Sequence, residues 1–351
     1  MAITGDGSAT YPFIVTTYEE LKEKMEASYA AGSTTYIQLG NDIDGDDYEI
    51  GTTFHISTSN SSKQLDIDLH GFAIKNWYIA GDRAPSTNHT LFSLYSGVYI
   101  HDGKILNIYG HYTSDYTSYF VFFIYGGYYN NEPLSTVFEN VSFSLDVSKC
   151  RGIIQDNTPA TNTNYKVSKY VNCSFYIRSS NLFSATRYGF NMVGNEFTSC
   201  DFYFDDLKIQ SNSTPTQTSW SSLFTIAGTN YVYRKFTYCR FQGKVTGVCN
   251  AGSGTHYACV LVGNILDNCV INLTGGRSVP ESFSGQFYIT LNQTHSSNRI
   301  NLVNIDLLND AGVQIAGSGF VQAHTNQMDM RENPQADVVL NDELHWDVQK
   351  G

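Results

Sequence analysis

An all-β chain, built as a right-handed parallel β-helix (solenoid) with one N-terminal capping helix, is the fold that three observations predict. Charged residues are 15% of the 351 residues while aromatics are 14%, and Tyr and Phe supply nearly all of the latter. Such a composition is poor in the Lys, Glu and Arg that favour helices and rich in side chains that suit pleated, half-buried surfaces. A short apolar–turn–apolar motif recurs along the chain, and a second apolar strand falls between most of its copies.

The elements follow in order. Thr17 opens a capping box with Glu20, and Tyr18, Leu21, Met25 and Tyr29 recur with helical spacing until Gly32 stops the pattern, which predicts a helix over 18–31. TTYIQLGNDID then reads as a strand ending in an acidic, turn-rich loop. A helix placed there covers the first open edge of an elongated β-core.

The repeats are LHGFAI (69–74), IHDGKI (100–105), FENVSFSL (138–145), YVNCSFYI (170–177), FTSCDFYF (197–204), FTYCRFQG (236–243), LDNCVINL (266–273) and LVNIDLLN (302–309). Their fourth positions give an anchor column of Phe72, Gly103, Val141, Cys173, Cys200, Cys239, Cys269 and Ile305. Between them lie FVFFIYGG, RGIIQ, GFNMVG, SLFTIAG, ACVLVG and QFYITL. Strand, bend, strand and variable loop make one coil, whose neighbours supply its hydrogen bonds. A β-sandwich gives no reason for Cys at one position in four successive units. The expected organisation is a cap over 1–50, the β-helix over 51–316, and a docking or oligomerisation segment over 317–351.

The formal net charge of −12, with no basic run, disfavours nucleic acid and anionic membrane surfaces, because both are bound through Lys and Arg. No apolar stretch reaches membrane-spanning length. MAITGDGSATYPF has neither a basic nor an apolar signal region, so no secretion signal is expected. Seven cysteines without a CxxC pair suit reduced thiols better than a disulfide framework.

Residues at one repeat offset should stack about 4.8 Å apart. One place beyond the anchor the expected outward column is Ala73, Lys104, Ser142, Ser174, Asp201, Arg240, Val270 and Asp306; three places beyond, it is Lys75, Leu106, Ser144, Tyr176, Tyr203, Gln242, Asn272 and Leu308. Five places beyond, it is Trp77, Ile108, Asp146, Arg178, Asp205, Lys244, Thr274 and Asp310. Asp146, Arg178, Asp205 and Lys244 alternate in sign and read as an exposed ion ladder.

The densest acidic group is Asp201, Asp205 and Asp206 in CDFYFDDL, with Arg240 and Lys244 expected to neutralise the first two and Asp206 expected in a turn. Glycosidic cleavage needs two positioned carboxylates, and these three sit on one coil, so no catalytic residue is assigned. The anchor cysteines read as an inward hydrophobic ladder, not a metal site, since structural zinc needs converging ligands. Cys150, Cys249 and Cys259 fall outside that column. His256, His295 and His324 read as solvated loop histidines. Gly275 and Gly276 follow a strand without opening a helix, so phosphate binding has no support. Asn140 and Asn172 at the bend are expected to hydrogen-bond from coil to coil. No cofactor and no metal is expected.

The opening GDGSATYPFIVTTYEELKEKM and the following TYIQLGNDID resemble the N-terminal segment of virion proteins of tailed bacteriophages with pectin-lyase-like β-helices. Head-fibre or head-decoration proteins of crAss-like phages are among them. The resemblance is carried by the Gly-rich start, Pro12-Phe13-Ile14-Val15, Glu19, Glu20, Leu21 and Asn41-Asp42-Ile43, with GFVQAHTNQMDM similar to an exit segment. It implies a non-enzymatic viral structural protein, most simply a head fibre or capsid-surface decoration, assembled in the bacterial cytoplasm. The implied partners are two further copies in a homotrimer, other capsid or tail proteins, and a host-surface glycan. Tail spikes that bind or depolymerise polysaccharide share the architecture, and carbohydrate binding through exposed Tyr is a further class.

Overall fold

A computed structural model describes residues 3–29, 32–49, 54–58, 64–80, 91–95, 97–111, 120–125, 127–129, 132–134, 136–146, 152–156, 168–178, 190–191, 196–210, 222–225, 234–249, 252–267, 269–293, 301–308, 312–316 and 320–325. Among them the chain is almost wholly β: one α-helix, one 3-10 turn, and strands throughout. Nearly all strands join one large sheet in which every ladder is parallel. The antiparallel exceptions are the hairpin Gly127–Tyr129 with Glu132–Leu134 and a bridge from Thr4 to Ile14.

Two sets of ladders carry the sheet. In the first, Ile37, Ile67, Ile100, Phe138, Tyr170, Phe197, Phe236 and Leu266 are successive register partners. Five positions on, and seven in the first copy, Ile74, Ile105, Phe143, Phe175, Phe202, Phe241 and Ile271 continue in parallel. The second set joins Ile56, Phe92, Phe122, Ile154, Phe190 and Phe224, through the interposed apolar strands.

The core is built from like on like. Phe143, Phe175, Phe202 and Phe241 stack nearly parallel at 4.7, 4.9 and 4.9 Å between centroids. Phe138, Tyr170, Phe197 and Phe236 form a second stack at 5.2, 4.7 and 4.8 Å, and the two meet edge to face. Both geometries suit the ring quadrupole. The same copies carry the thiol column: Cys173, Cys200, Cys239 and Cys269 are all buried and none is in a disulfide. Each Sγ points at backbone carbonyls, as Cys239 does toward Phe197 and Thr237 at 3.5 Å. Burial pushes the Cys173 and Cys239 thiols upward.

The bend before the anchor is left-handed in six copies: Gly71, Asp102, Asn140, Asn172, Ser199 and Tyr238 all have φ between 51° and 78°, and in the first of these copies His70 is left-handed too. Asn tolerates that region because its short side chain bonds locally. Here it also ties neighbours together as expected: Asn172 Nδ2 donates to Asn140 Oδ1 at 3.3 Å, and Asn140 Nδ2 to Asp102 Oδ1 at 2.8 Å. Gly103 is required for a different reason, since a Cβ there would lie 2.3 Å from Leu69 Cβ.

Several expectations need correction. The helix is Tyr18–Glu26, not 18–31, and Ala27 ends it with ψ 154°. Tyr29 lies beyond it and returns through a hydroxyl bond to the Lys24 carbonyl at 2.7 Å. Thr17 is the N-cap and its hydroxyl accepts the Glu20 N–H as expected, but the Glu20 carboxylate reaches back to Thr16, whose N–H and hydroxyl it accepts, so only the return half of the capping box is displaced by one residue. The helix buries Tyr18, Leu21 and Met25, with Tyr18 edge-on to Phe54 and Trp77. The first strand, Phe13–Val15, is met on its open side by Thr4 and not by the helix.

The sheet also runs past the expected boundaries, beginning at Phe13 and including Phe320–Thr325, which pairs with Asn301–Leu308. The last repeat is out of step: Ile305 faces Leu273, four places beyond Cys269. Asp306 therefore faces Thr274, and Leu308 faces Gly276. Trp77 and Ile108, expected outward, are fully buried, because left-handed Asn76 and Asn107 just before them reverse the two-residue alternation. Ala73 and Val270 are buried as well. Gly275 and Gly276 lie inside the strand Val270–Ser278. Asp310, Cys150, His295 and residues 326–351 lie outside the described residues.

Candidate functional site

Each acid of the CDFYFDDL group has a partner within the fold. Arg240 grips both oxygens of Asp201 through Nε and a terminal nitrogen, and only 14% of its side chain is exposed. Asp205 accepts the Tyr176 hydroxyl at 2.8 Å. Lys244 pairs with Asp206 at 3.2 Å and not with Asp205, because Asp206 sits at φ 48° where the register slips between Phe204 and Leu207. Against the pull of burial, hydrogen bonds from Thr246 and Lys244 hold the Asp206 carboxyl below its usual range. Asp146, Arg178 and Asp205 do align in the backbone register.

Among the described residues, the others singled out form no constellation. His256 is half-buried, with Nε2 3.2 Å from the Ser253 carbonyl and its ring tilted against Phe283. Cys249 is buried. Cys259 and His324 lie on strands pairing with Thr290 and Asn304. Tyr176 and Tyr203 stack at 5.2 Å on the outer face, each 39% exposed.

The densest chemistry lies elsewhere, on three neighbouring strands: Gln64–Asp68, Val98–His111 and Val137–Asp146. Their register sets Asp66 beside Tyr99 and places Asp68, His101 and Glu139 in one row. Alternation sends Ile67, Ile100 and Phe138 inward, so the residues between them must face out. His101 is held at both ring nitrogens: Nδ1 is 2.7 Å from Asp102 Oδ2 and Nε2 is 3.0 Å from Asp66 Oδ1. The Tyr99 ring stacks on it at 4.5 Å and donates its hydroxyl to Glu139 at 2.7 Å. His70, at the neighbouring bend, faces Asp68 at 3.3 Å.

The electrostatics follow from that packing. Burial pulls the His101 imidazole down, but hydrogen bonds with Asp102 and Asp66 outweigh it and raise its pKa above the ordinary histidine value. His101, then Asn140, hold Asp102 below the usual carboxylate range. Burial, aided by Glu139, pushes the Tyr99 hydroxyl well upward. Asp68, His101 and Asp102 also bring one metal-ligating atom each within 4.8 Å of the others. The signal was present in the sequence as DLHG and IHDG, ahead of the outward columns beyond the anchor, but the repeat alignment sets Asp68 opposite Tyr99, and only the two-residue longer first bend brings it beside His101.

No protein-family model and no curated protein matches the chain. A solved structure from Bacteroides ovatus, provisionally described as an immunoglobulin A1 protease, is similar at a TM-score of 0.40 and 13% identity, over 96% of this chain and 90% of that one. Similarity of that degree carries no argument about function.

Proposed function

We propose that the chain is a right-handed parallel β-solenoid serving as a non-enzymatic structural component of a bacteriophage virion, a head fibre or capsid-surface decoration. The solenoid is supported by parallel ladders between strands one repeat apart, with a left-handed bend recurring at the same offset. Parallel crossovers of this kind are almost always right-handed. The observation that carries the structural role is the self-satisfied stacking: rings on rings, thiols on carbonyls, and Asp201 and Asp206 each neutralised by a basic residue of the next copy. Such a body is a stiff spacer. The virion setting rests on the N-terminal resemblance. Immunogold labelling of purified particles tests it: label on the head surface supports the reading, and particles free of the chain defeat it.

A second reading, a spike that binds or cleaves polysaccharide, is favoured by one observation. Carboxylates stand on adjacent strands at Asp66, Asp68, Asp102 and Glu139, around His101. It ranks second because His101 and Glu139 are already engaged by neighbouring side chains, whereas acid–base catalysis needs a group within reach of the scissile atoms. Incubation with host capsular polysaccharide separates the two. Reducing ends or unsaturated uronate, lost in Glu139→Gln, would establish the spike.

A further inference from the structure

We propose that Asp68, His101 and Asp102 form a site for one divalent transition-metal ion of the zinc type, clasping two adjacent strands at their shared bend. One donor atom from each lies within 4.8 Å of the other two. Zinc sits about 2.0–2.2 Å from such nitrogen and oxygen ligands, so small side-chain rotations bring all three onto one ion.

The stronger argument is what holds the far end of each side chain. His101 Nε2 is bonded to Asp66 Oδ1 at 3.0 Å, which leaves Nδ1 to face the site. Asp102 Oδ1 accepts from Asn140 Nδ2 at 2.8 Å, leaving Oδ2. Asp68 Oδ1 accepts the His70 backbone N–H at 2.6 Å, leaving its own Oδ2. A carboxylate behind a ligating imidazole, with the ligating carboxylates hydrogen-bonded in turn, is the outer shell that metal sites use to fix ligand orientation. The two further contacts of Asp68 Oδ2, to Gln38 Nε2 and His70 Nδ1, are both long at 3.3 Å and readily yield to an ion.

Charge points the same way. Asp42, Asp201 and Asp206 are each paired with Lys or Arg. Among the described residues Asp66, Asp68 and Asp102 form ion pairs with histidine alone. The ion takes the place of the proton on His101 Nδ1, which leaves to solvent. An imidazole with two carboxylates suits zinc-type ions, whereas calcium takes oxygen ligands only.

The test is calorimetric titration of the full chain, stripped of metal by chelator, with Zn²⁺. One saturable site is expected, together with a raised melting temperature. Asp102→Asn, which suits the left-handed bend as Asn140 and Asn172 do, and His101→Gln should abolish the site. Asp66→Asn, which touches no metal, should weaken it about 10–100-fold, and Asp205→Asn should leave it unchanged. Circular dichroism verifies folding; should a ligand variant fail to fold, the Asp66→Asn result decides. Absence of a saturable site in the folded wild type would overturn the proposal. So would unchanged affinity in the folded variants, or equal competition by Ca²⁺.

Discussion

A cysteine in the anchor column occupies a slot too dry for a charge. Cys239 is fully buried, with its thiol aimed at the carbonyls of Phe197 and Thr237. Cys239→Asp places an unpaired carboxylate there and should cost about 3–5 kcal/mol in denaturant unfolding. Thiol reagents should label Cys173, Cys200, Cys239 and Cys269 only on unfolding, and rapid labelling of the native protein would refute the inward register. The two outer acids should behave differently from each other. Asp205 is exposed and accepts a Tyr hydroxyl, so Asp205→Asn should change stability by about 0–1 kcal/mol. Asp201 faces a mostly buried guanidinium, so Asp201→Asn should cost about 1–3 kcal/mol. Equal costs for the two would remove the distinction.

The bend is the element on which both the fold and the candidate metal site depend. One left-handed residue between two strands turns the chain without consuming a loop, and its side chain is free to bond to the copies above and below. At Asp102 the same position turns the chain and offers a ligand. Asn140→Val forces a β-branched residue into left-handed φ and removes two ladder bonds, so it should destabilise by about 1–3 kcal/mol. Asn140→Gly restores the backbone freedom but not the ladder, and should recover part of that loss. If valine were tolerated as well as glycine, the bend would not be conformationally selected.

A β-stack of this kind has two ends, and at the first of them the helix Tyr18–Glu26 buries Tyr18, Leu21 and Met25. At the other end the sheet continues through Phe320–Thr325. The residues beyond it, 326–351, hold six acidic and two basic side chains and little periodic apolar pattern. The expected whole-molecule behaviour is a homotrimer docked by one end, the number three coming from the resemblance to phage fibres. Sedimentation equilibrium of the purified chain should give the trimer mass, and a stable monomer at micromolar concentration would argue against it. Truncation after Thr325 should leave the β-body folded, as read by its melting temperature, while impairing trimerisation or incorporation into particles. Unchanged assembly would make the tail incidental.

The sequence by itself determined the β class, the parallel repeat, the four-cysteine column and the Asn ladder, because those depend on residue type at a fixed offset, and a stacked fold turns offset directly into neighbourhood. It also located the helix start, where capping is local, but not its end, where Tyr29 has the right spacing and only packing decides that the chain has already turned. Tertiary structure alone decided three things. It reversed the alternation at Trp77 and Ile108, since a left-handed Asn flips every side chain after it. It moved Lys244 from Asp205 to Asp206, since a one-residue slip changes which carboxylate lies opposite. It gathered Asp66, Asp68, His101, Asp102 and Glu139 into one cluster, since these residues lie on strands distant in the chain and become neighbours only when the parallel register sets one strand beside the next.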